Sequence, residues 1–394
     1  MGSSWQAKKP LSGQKKQFYT TPNVVTSETA NYQQSSQTKG EAWQKESLNP
    51  FSPRPVLAIT MGDPAGIGPE IILKALSHQE IYEIASPLVI GSSITLKEEL
   101  KTLPQNFGQL EINEIKDLSQ ARFQFPFVNV LDPSPLINPI VKGRVSAEAG
   151  AAAVAYVTYA SQLAKAGLIA AIVTAPLNKQ AMHLAGYTYP GHTELLAKLF
   201  NREKYCMVLA HEGLFVLHVT THIAVGEVPK ALSREKVLER IQIASALARA
   251  LNMESKPIGV AGLNPHAGEG GLFGDEEIRI IKPAIEAAKT LGINVTGPWP
   301  ADSLFPKARA GEFNFVVAMY HDQGHVPFKT LYFDEGVNIT VGLPVVRTSV
   351  DHGTAFDIAG KGIAKEKSLM QAVKVAARLA PSWEEVNRHL YYGE

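Results

Sequence analysis

The chain has one cysteine, Cys206, in 394 residues. No disulfide can form within it, and such poverty in cysteine suits a reducing compartment, so the expected location is the cytoplasm. Aromatic residues are few (8%), basic residues are not interleaved with them, and the formal net charge is only +1. Recognition of nucleic acid or of an acidic membrane surface therefore has nothing to rest on. No apolar run approaches the roughly 20 residues that a membrane-spanning helix needs. A dinucleotide-binding glycine fingerprint is also missing. Gly66 and Gly68 follow the first apolar run, but Ile71 stands where the third glycine would be required.

What is present is a globular composition, 45% hydrophobic and 19% charged, on a chain long enough for two domains. Residues 1–54 differ in kind: rich in Ser, Thr, Gln, Asn and Lys, without apolar periodicity, they are expected to be a disordered extension. Lys8, Lys9, Lys15 and Lys16 precede any acid, as in a transit peptide, but the first arginine is Arg54 and no amphipathic pattern accompanies them. An inert or regulatory tail is the reading.

After it, short apolar runs alternate with helical patterns. Strands are expected at 56–60, 87–91, 128–131, 169–173, 215–221, 258–263 and 315–319. Helices are expected at 147–166, 195–200, 234–251 and 276–291, and a last one at 368–379 closes the chain. This rhythm predicts an α/β fold with a mostly parallel sheet covered on both faces.

The stretch 315–355 concentrates the chemistry. Its apolar run ends at Tyr320-His321-Asp322-Gln323-Gly324, and His325, Lys329, Asn338, Arg347, Asp351 and His352 follow. Two other apolar runs end in the same way, one at His222 and one at Asn264-Pro265-His266. Ligands of parallel sheets gather beyond the carboxyl ends of the strands, so these three histidines can converge. Three neutral imidazoles with an open position suit Zn²⁺, Co²⁺ or a similar ion, with Asp302 and Asp322 as outer partners. Taken singly, each reads rather as a hydrogen-bonded histidine at a strand end. His192 and Thr193 open a helix, where they can donate to an anion; with Lys329 and Arg347 they make a clamp for phosphate and carboxylate.

The blocks MGDPAGIGPEI, TAPLNK, PGHTE, TTHIA, GLNPHAGEGG, GPWPADSLF, MYHDQGH, GVNITVGLP and RTSVDHGTAFDIAG together resemble the 4-hydroxythreonine-4-phosphate dehydrogenase family of vitamin B6 biosynthesis, over residues 55–380 and in the same order. The resemblance implies two α/β/α domains around a cleft, of the isocitrate/isopropylmalate dehydrogenase type, which binds NAD without a Rossmann loop. The domains would be 55–185 plus 345–394, and 186–344 carrying the metal-binding histidines. It also implies a homodimer with its site at the subunit interface, and one divalent ion (Zn, Mg or Co) per subunit on His222, His266 and His321. Contacts to a small phosphorylated substrate would come from His192, Thr193, Lys329, Asn338 and Arg347.

The implied reaction is NAD- or NADP-dependent oxidation of the C3 hydroxyl of 4-phosphooxy-L-threonine, followed by decarboxylation, with Asp302 or Lys329 as the base. A sister group acts on 4-phospho-D-threonate and resembles this chain at YPGHTELLA, GLFGDEE and His325. Phosphate acetyltransferases share the implied fold but need no such histidines. A non-catalytic metal- or phosphate-binding protein is the remaining alternative.

Overall fold

Strands that are apolar along their whole length need cover on both faces. The runs Val56–Thr60 (β1), Ser86–Ile90 (β2) and Ala171–Thr174 (β5) are largely of this kind, and Val346–Val350 (β12), although its middle is Arg-Thr-Ser, is buried along its whole length beside them. A computed structural model describes residues 54–134, 140–211 and 213–391, so the expected tail lies outside the described residues. The remaining strands are Glu111–Glu114 (β3), Phe127–Leu131 (β4), Cys206–His211 (β6), Leu214–His218 (β7), Ile258–Ala261 (β8), Val295–Trp299 (β9), Phe315–Ala318 (β10) and Val337–Val341 (β11).

All twelve join one sheet in the order β3-β4-β2-β1-β5-β12-β11-β6-β7-β10-β8-β9. Pairing is parallel except at β11 with both its neighbours and between β6 and β7. The α/β architecture is the expected one. Helices lie against the sheet, among them Ala147–Lys165 on β1, Arg234–Ala250 on β10 and Lys367–Leu379 on β12.

Three local expectations are corrected, and one helix stands where none was expected. The strand expected to reach residue 221 stops at His218, where its partner β10 also ends at Ala318; Val219 N and Thr220 N still donate to the Ala318 and Met319 carbonyls. The helix expected over 276–291 is a π-helical turn, Glu277–Ile281, leading into Lys282–Thr290; Pro283, which has no N–H to donate, sits at the join. The polar stretch after β10 is a helix, His321–Tyr332, in spite of Gly324 and Pro327. The helix Lys367–Leu379 is not the last: Trp383–Tyr391 follows it, and Trp383 Nε1 donates to the Leu343 carbonyl at 2.9 Å.

Candidate active site

Strands β7, β10 and β8 are neighbours and run parallel. Their carboxyl ends therefore share one edge of the sheet, and the segments leaving it carry His222, His321 and His266. Three cross-ties hold these segments together. Thr220 Oγ1 donates to the Met319 carbonyl at 2.8 Å, joining the His222 segment to β10. Gln323 accepts from Met319 N and donates to the Gly262 carbonyl, both at 2.6 Å, joining the His321 helix to the end of β8. The buried carboxylate of Glu277 accepts from the backbone N–H groups of Leu263 and Asn264 at 2.7 and 2.8 Å, just before His266. His266, Ala267 and Glu269 have φ of 54°, 52° and 42°, a left-handed turn that non-glycine residues adopt only when the surroundings impose it.

The rings of His222 and His321 are 6.0 Å apart, whereas His266 lies against Phe273, at 6.1 Å. Among the described residues no three His, Cys, Asp or Glu side chains are close enough to hold an ion together as they stand. The donor chemistry nevertheless fits a divalent metal. His321 Nδ1 is 2.6 Å from Asp322 Oδ1. A carboxylate there fixes the N–H on Nδ1 and leaves Nε2 as the ligating atom, the usual support of a metal-bound imidazole.

Behind His321 are two imidazoles outside the set of three expected as metal ligands. His325 stacks on His321 with ring centres 3.7 Å apart, and His325 Nδ1 is 3.2 Å from Nε2 of His218, at the end of β7. Burial, and then His325 and His321, push the pKa of His218 down to about 3. Burial, and then His321, push that of His325 down to about 4. Both are neutral near pH 7.

The anion side is built on the middle of the sheet. Arg347 on β12 is 3% exposed. Its guanidinium donates to Thr174 Oγ1 (2.9 Å), Thr340 Oγ1 (2.9 Å) and Thr193 Oγ1 (3.2 Å), and its Nε has no partner. These are neutral hydroxyls, and among the described residues no carboxylate is hydrogen-bonded to the charge. Burial pulls its pKa down to about 10, against the more distant Glu194. His192 Nε2 and Asn338 Oδ1 are likewise sealed from solvent without partners. Burial and then Arg347 hold the His192 pKa well below the usual histidine range.

Beside them is an open pocket of about 200 Å³, lined by Thr174, Lys179, Gly191, His192, Ser349 and His352 among others. Lys329, eight residues after His321 on the same helix, pairs with Asp351 at 3.2 Å, just beyond β12.

The structure thus joins Arg347 to Thr193, sets His192 in the adjoining pocket, and brings His222 near His321. It does not join Asp302 to this group: Asp302 opens the helix Ala301–Arg309 and is exposed. The anchors Gln323, Glu277 and His218 were missed. Only His218 carried a signal, as a lone imidazole inside an apolar run.

The chain is similar to known proteins over most of its length. Residues 83–376 match the family model described as pyridoxal phosphate biosynthetic protein PdxA. The chain is 48% identical over 333 residues to a D-threonate 4-phosphate dehydrogenase of Bordetella bronchiseptica, covering 84% of this chain and 94% of that one. It is 47% identical over 329 residues to a 4-hydroxythreonine-4-phosphate dehydrogenase of Desulfosudis oleivorans, covering 83% and 96%. A crystal structure of 4-hydroxythreonine-4-phosphate dehydrogenase from Klebsiella pneumoniae superposes with a TM-score of 0.72 at 47% identity, covering 83% and 99%. With its parallel strand ends, its hydroxyl-bound arginine and this likeness along most of its length, the chain belongs to the PdxA family.

Proposed function

We propose that the protein is a dehydrogenase that oxidises the C3 hydroxyl of 4-phosphooxy-L-threonine with NAD⁺ or NADP⁺. The product, 2-amino-3-oxo-4-phosphooxybutanoate, loses its carboxylate as CO₂ to give 3-amino-2-oxopropyl phosphate. The observation that carries this reading is Arg347, a buried guanidinium with only hydroxyl partners beside a pocket, an arrangement that a doubly anionic substrate completes. Two relatives named for D-threonate 4-phosphate, at 48% and 50% identity, favour 4-phospho-D-threonate as a second reading; it bears a hydroxyl in place of the amine.

In this mechanism Arg347, with Thr193, His192 and Asn338, holds the anionic groups and fixes C3 relative to the nicotinamide. His222, His266 and His321 would hold one divalent ion, Zn, Mg or Co. When bound, it supplies Lewis acidity at the reacting oxygen. Lys329, in its neutral form, removes the hydroxyl proton as the C3 hydride leaves for the nicotinamide; its contact with Asp351 at 3.2 Å sets its amine beside β12. Of the two candidate bases Lys329 is the one set beside β12; Asp302 is exposed.

The two-domain division, 55–185 with 345–394 and 186–344, is part of the same reading. It is supported by a strand order in which β1–β5 and β12 occupy one half of the sheet and β6–β11 the other. A homodimer is supported by exposed Val225 (70%) and Leu272 (72%), apolar side chains close in sequence to His222 and His266. A cytoplasmic location is supported by the single, free Cys206. The test is NAD(P)H production by metal-loaded protein given 4-phosphooxy-L-threonine and 4-phospho-D-threonate in parallel. Turnover of the first is expected; turnover of the second alone would replace it, and silence with both would end the dehydrogenase reading.

A further inference from the structure

We propose that His325 is a positioning residue for His321: held in place by His218, its ring fixes the orientation of the His321 imidazole and so sets the affinity of the site for a divalent ion. The proposal rests on the metal reading above. His321 and His325 are four residues apart on the helix His321–Tyr332 and so share one face. Their rings are parallel, with centres 3.7 Å apart and planes 11° from one another. At that distance the face of one ring lies on the face of the other, and His321 cannot turn about its Cβ–Cγ bond without clashing.

His325 is itself held on two sides. Its Nδ1 is 3.2 Å from the His321 carbonyl and 3.2 Å from His218 Nε2. An Nδ1–H directed at the carbonyl also reaches the His218 lone pair. His218 is 2% exposed, and Arg240 Nε donates to its carbonyl at 3.0 Å. It can come this close only because residue 324 is glycine: a Cβ there would be 2.2 Å from His218 Nε2.

The edge of His321 is tied down as well, by Asp322 at 2.6 Å. An imidazole whose side chain is 40% exposed is thus fixed at its edge by a carboxylate and on its face by a second ring. Such fixing removes the rotational freedom that ion binding would otherwise have to remove. His325 is unsuited to be a ligand beside His321, because rings stacked face to face point their nitrogens side by side, not toward a common ion. Its Nδ1 is also already engaged.

The test is the dissociation constant of Zn²⁺ alone, by competition with a chromogenic chelator, for the metal-free full chain and for His321→Ala, His325→Ala and His325→Phe. His325→Ala should bind about tenfold or more weakly. His325→Phe, which restores a flat ring against His321, should recover most of that loss. Melting temperatures of the metal-free proteins, equal within a few degrees, would show that the variants fold. An unchanged constant in His325→Ala, or a His325→Phe protein as weak as the alanine variant, overturns the proposal. Wild type and His321→Ala binding Zn²⁺ equally would overturn the metal reading together with it, and that outcome is distinct from a failure confined to residue 325.

Discussion

Arg347 shows at a single residue how stability and function pull apart. A guanidinium that is 3% exposed and bonded only to threonine hydroxyls has lost its water without gaining a counter-charge. Replacing it by methionine should leave the melting temperature unchanged or higher, while kcat/KM falls about 100-fold or more, on the order of 3 kcal/mol of binding at the transition state. Thermal melts and steady-state kinetics on Arg347→Met check both halves. A clear fall in melting temperature would mean that the guanidinium is structural.

Asp63 makes a second case. It is fully buried after β1, accepts from Ala65 N at 2.8 Å, and has an unpartnered Oδ2. Burial raises its pKa to about 6, against the Ala65 hydrogen bond and Lys142. The folded state therefore holds this proton more tightly than the unfolded one. The contribution to stability is complete below about pH 4 and is lost as pH rises through about 6. Asp63→Asn, with no proton to lose, should flatten that part of the stability–pH curve and be the more stable protein at pH 7. Urea titrations at several pH values measure the difference, and parallel curves for the two proteins would refute it.

The helix His321–Tyr332 is the element on which both halves of the site depend. One face carries His321, His325 and Lys329, while Phe328 is buried in the cluster with Val216 and Phe305. Gln323 bolts its first turn to β8. Gly324 faces β7 so closely that an added Cβ would meet Val216 Cγ1 at 2.8 Å and His218 Nε2 at 2.2 Å. Gly324→Ala must push the helix or His218 aside. The expected cost is about 1–3 kcal/mol of stability, as for an overpacked core, with weakened Zn²⁺ binding in the same protein. Denaturant midpoints and chelator competition read these, and a variant as stable as wild type would show that the helix floats free of β7. In the sequence this helix was hidden, because a glycine and a proline within four residues look like a loop. Its first turn is held by tertiary bonds, which no local pattern announces.

At the scale of the whole molecule, the site needs both ends of the chain's long middle. Arg347 on β12 meets Thr174 on β5 and Thr193 on the helix His192–Leu199, while the histidines leave β7, β8 and β10. Exhaustive chelation should abolish NAD(P)H production, and Zn²⁺, Co²⁺ or Mg²⁺ should restore it; full activity in metal-free protein would remove the ion from the mechanism. Sedimentation should give a mass of about twice 42.7 kDa, and a monomer at micromolar concentration would overturn the dimer.

The sequence by itself determined a good deal. Alternating apolar and helical runs imply the α/β sheet because covering a wholly apolar strand on both faces leaves few other solutions. The histidines at 222, 266 and 321 were legible as residues that follow strands, because an imidazole soon after an apolar run is a local feature. Arg347, Thr193 and Lys329 were legible as candidates for an anion clamp from their residue types beside glycine-punctuated turns. Tertiary structure alone decided which strands are neighbours, and hence that β7, β10 and β8 bring their ends to one edge. It decided that Arg347 has hydroxyls and not carboxylates around it, and that Asp302 stands apart. It also decided that His218 and His325 back His321. These are matters of distance between residues up to 173 positions apart, settled by strand order and packing, and no window along the chain contains them.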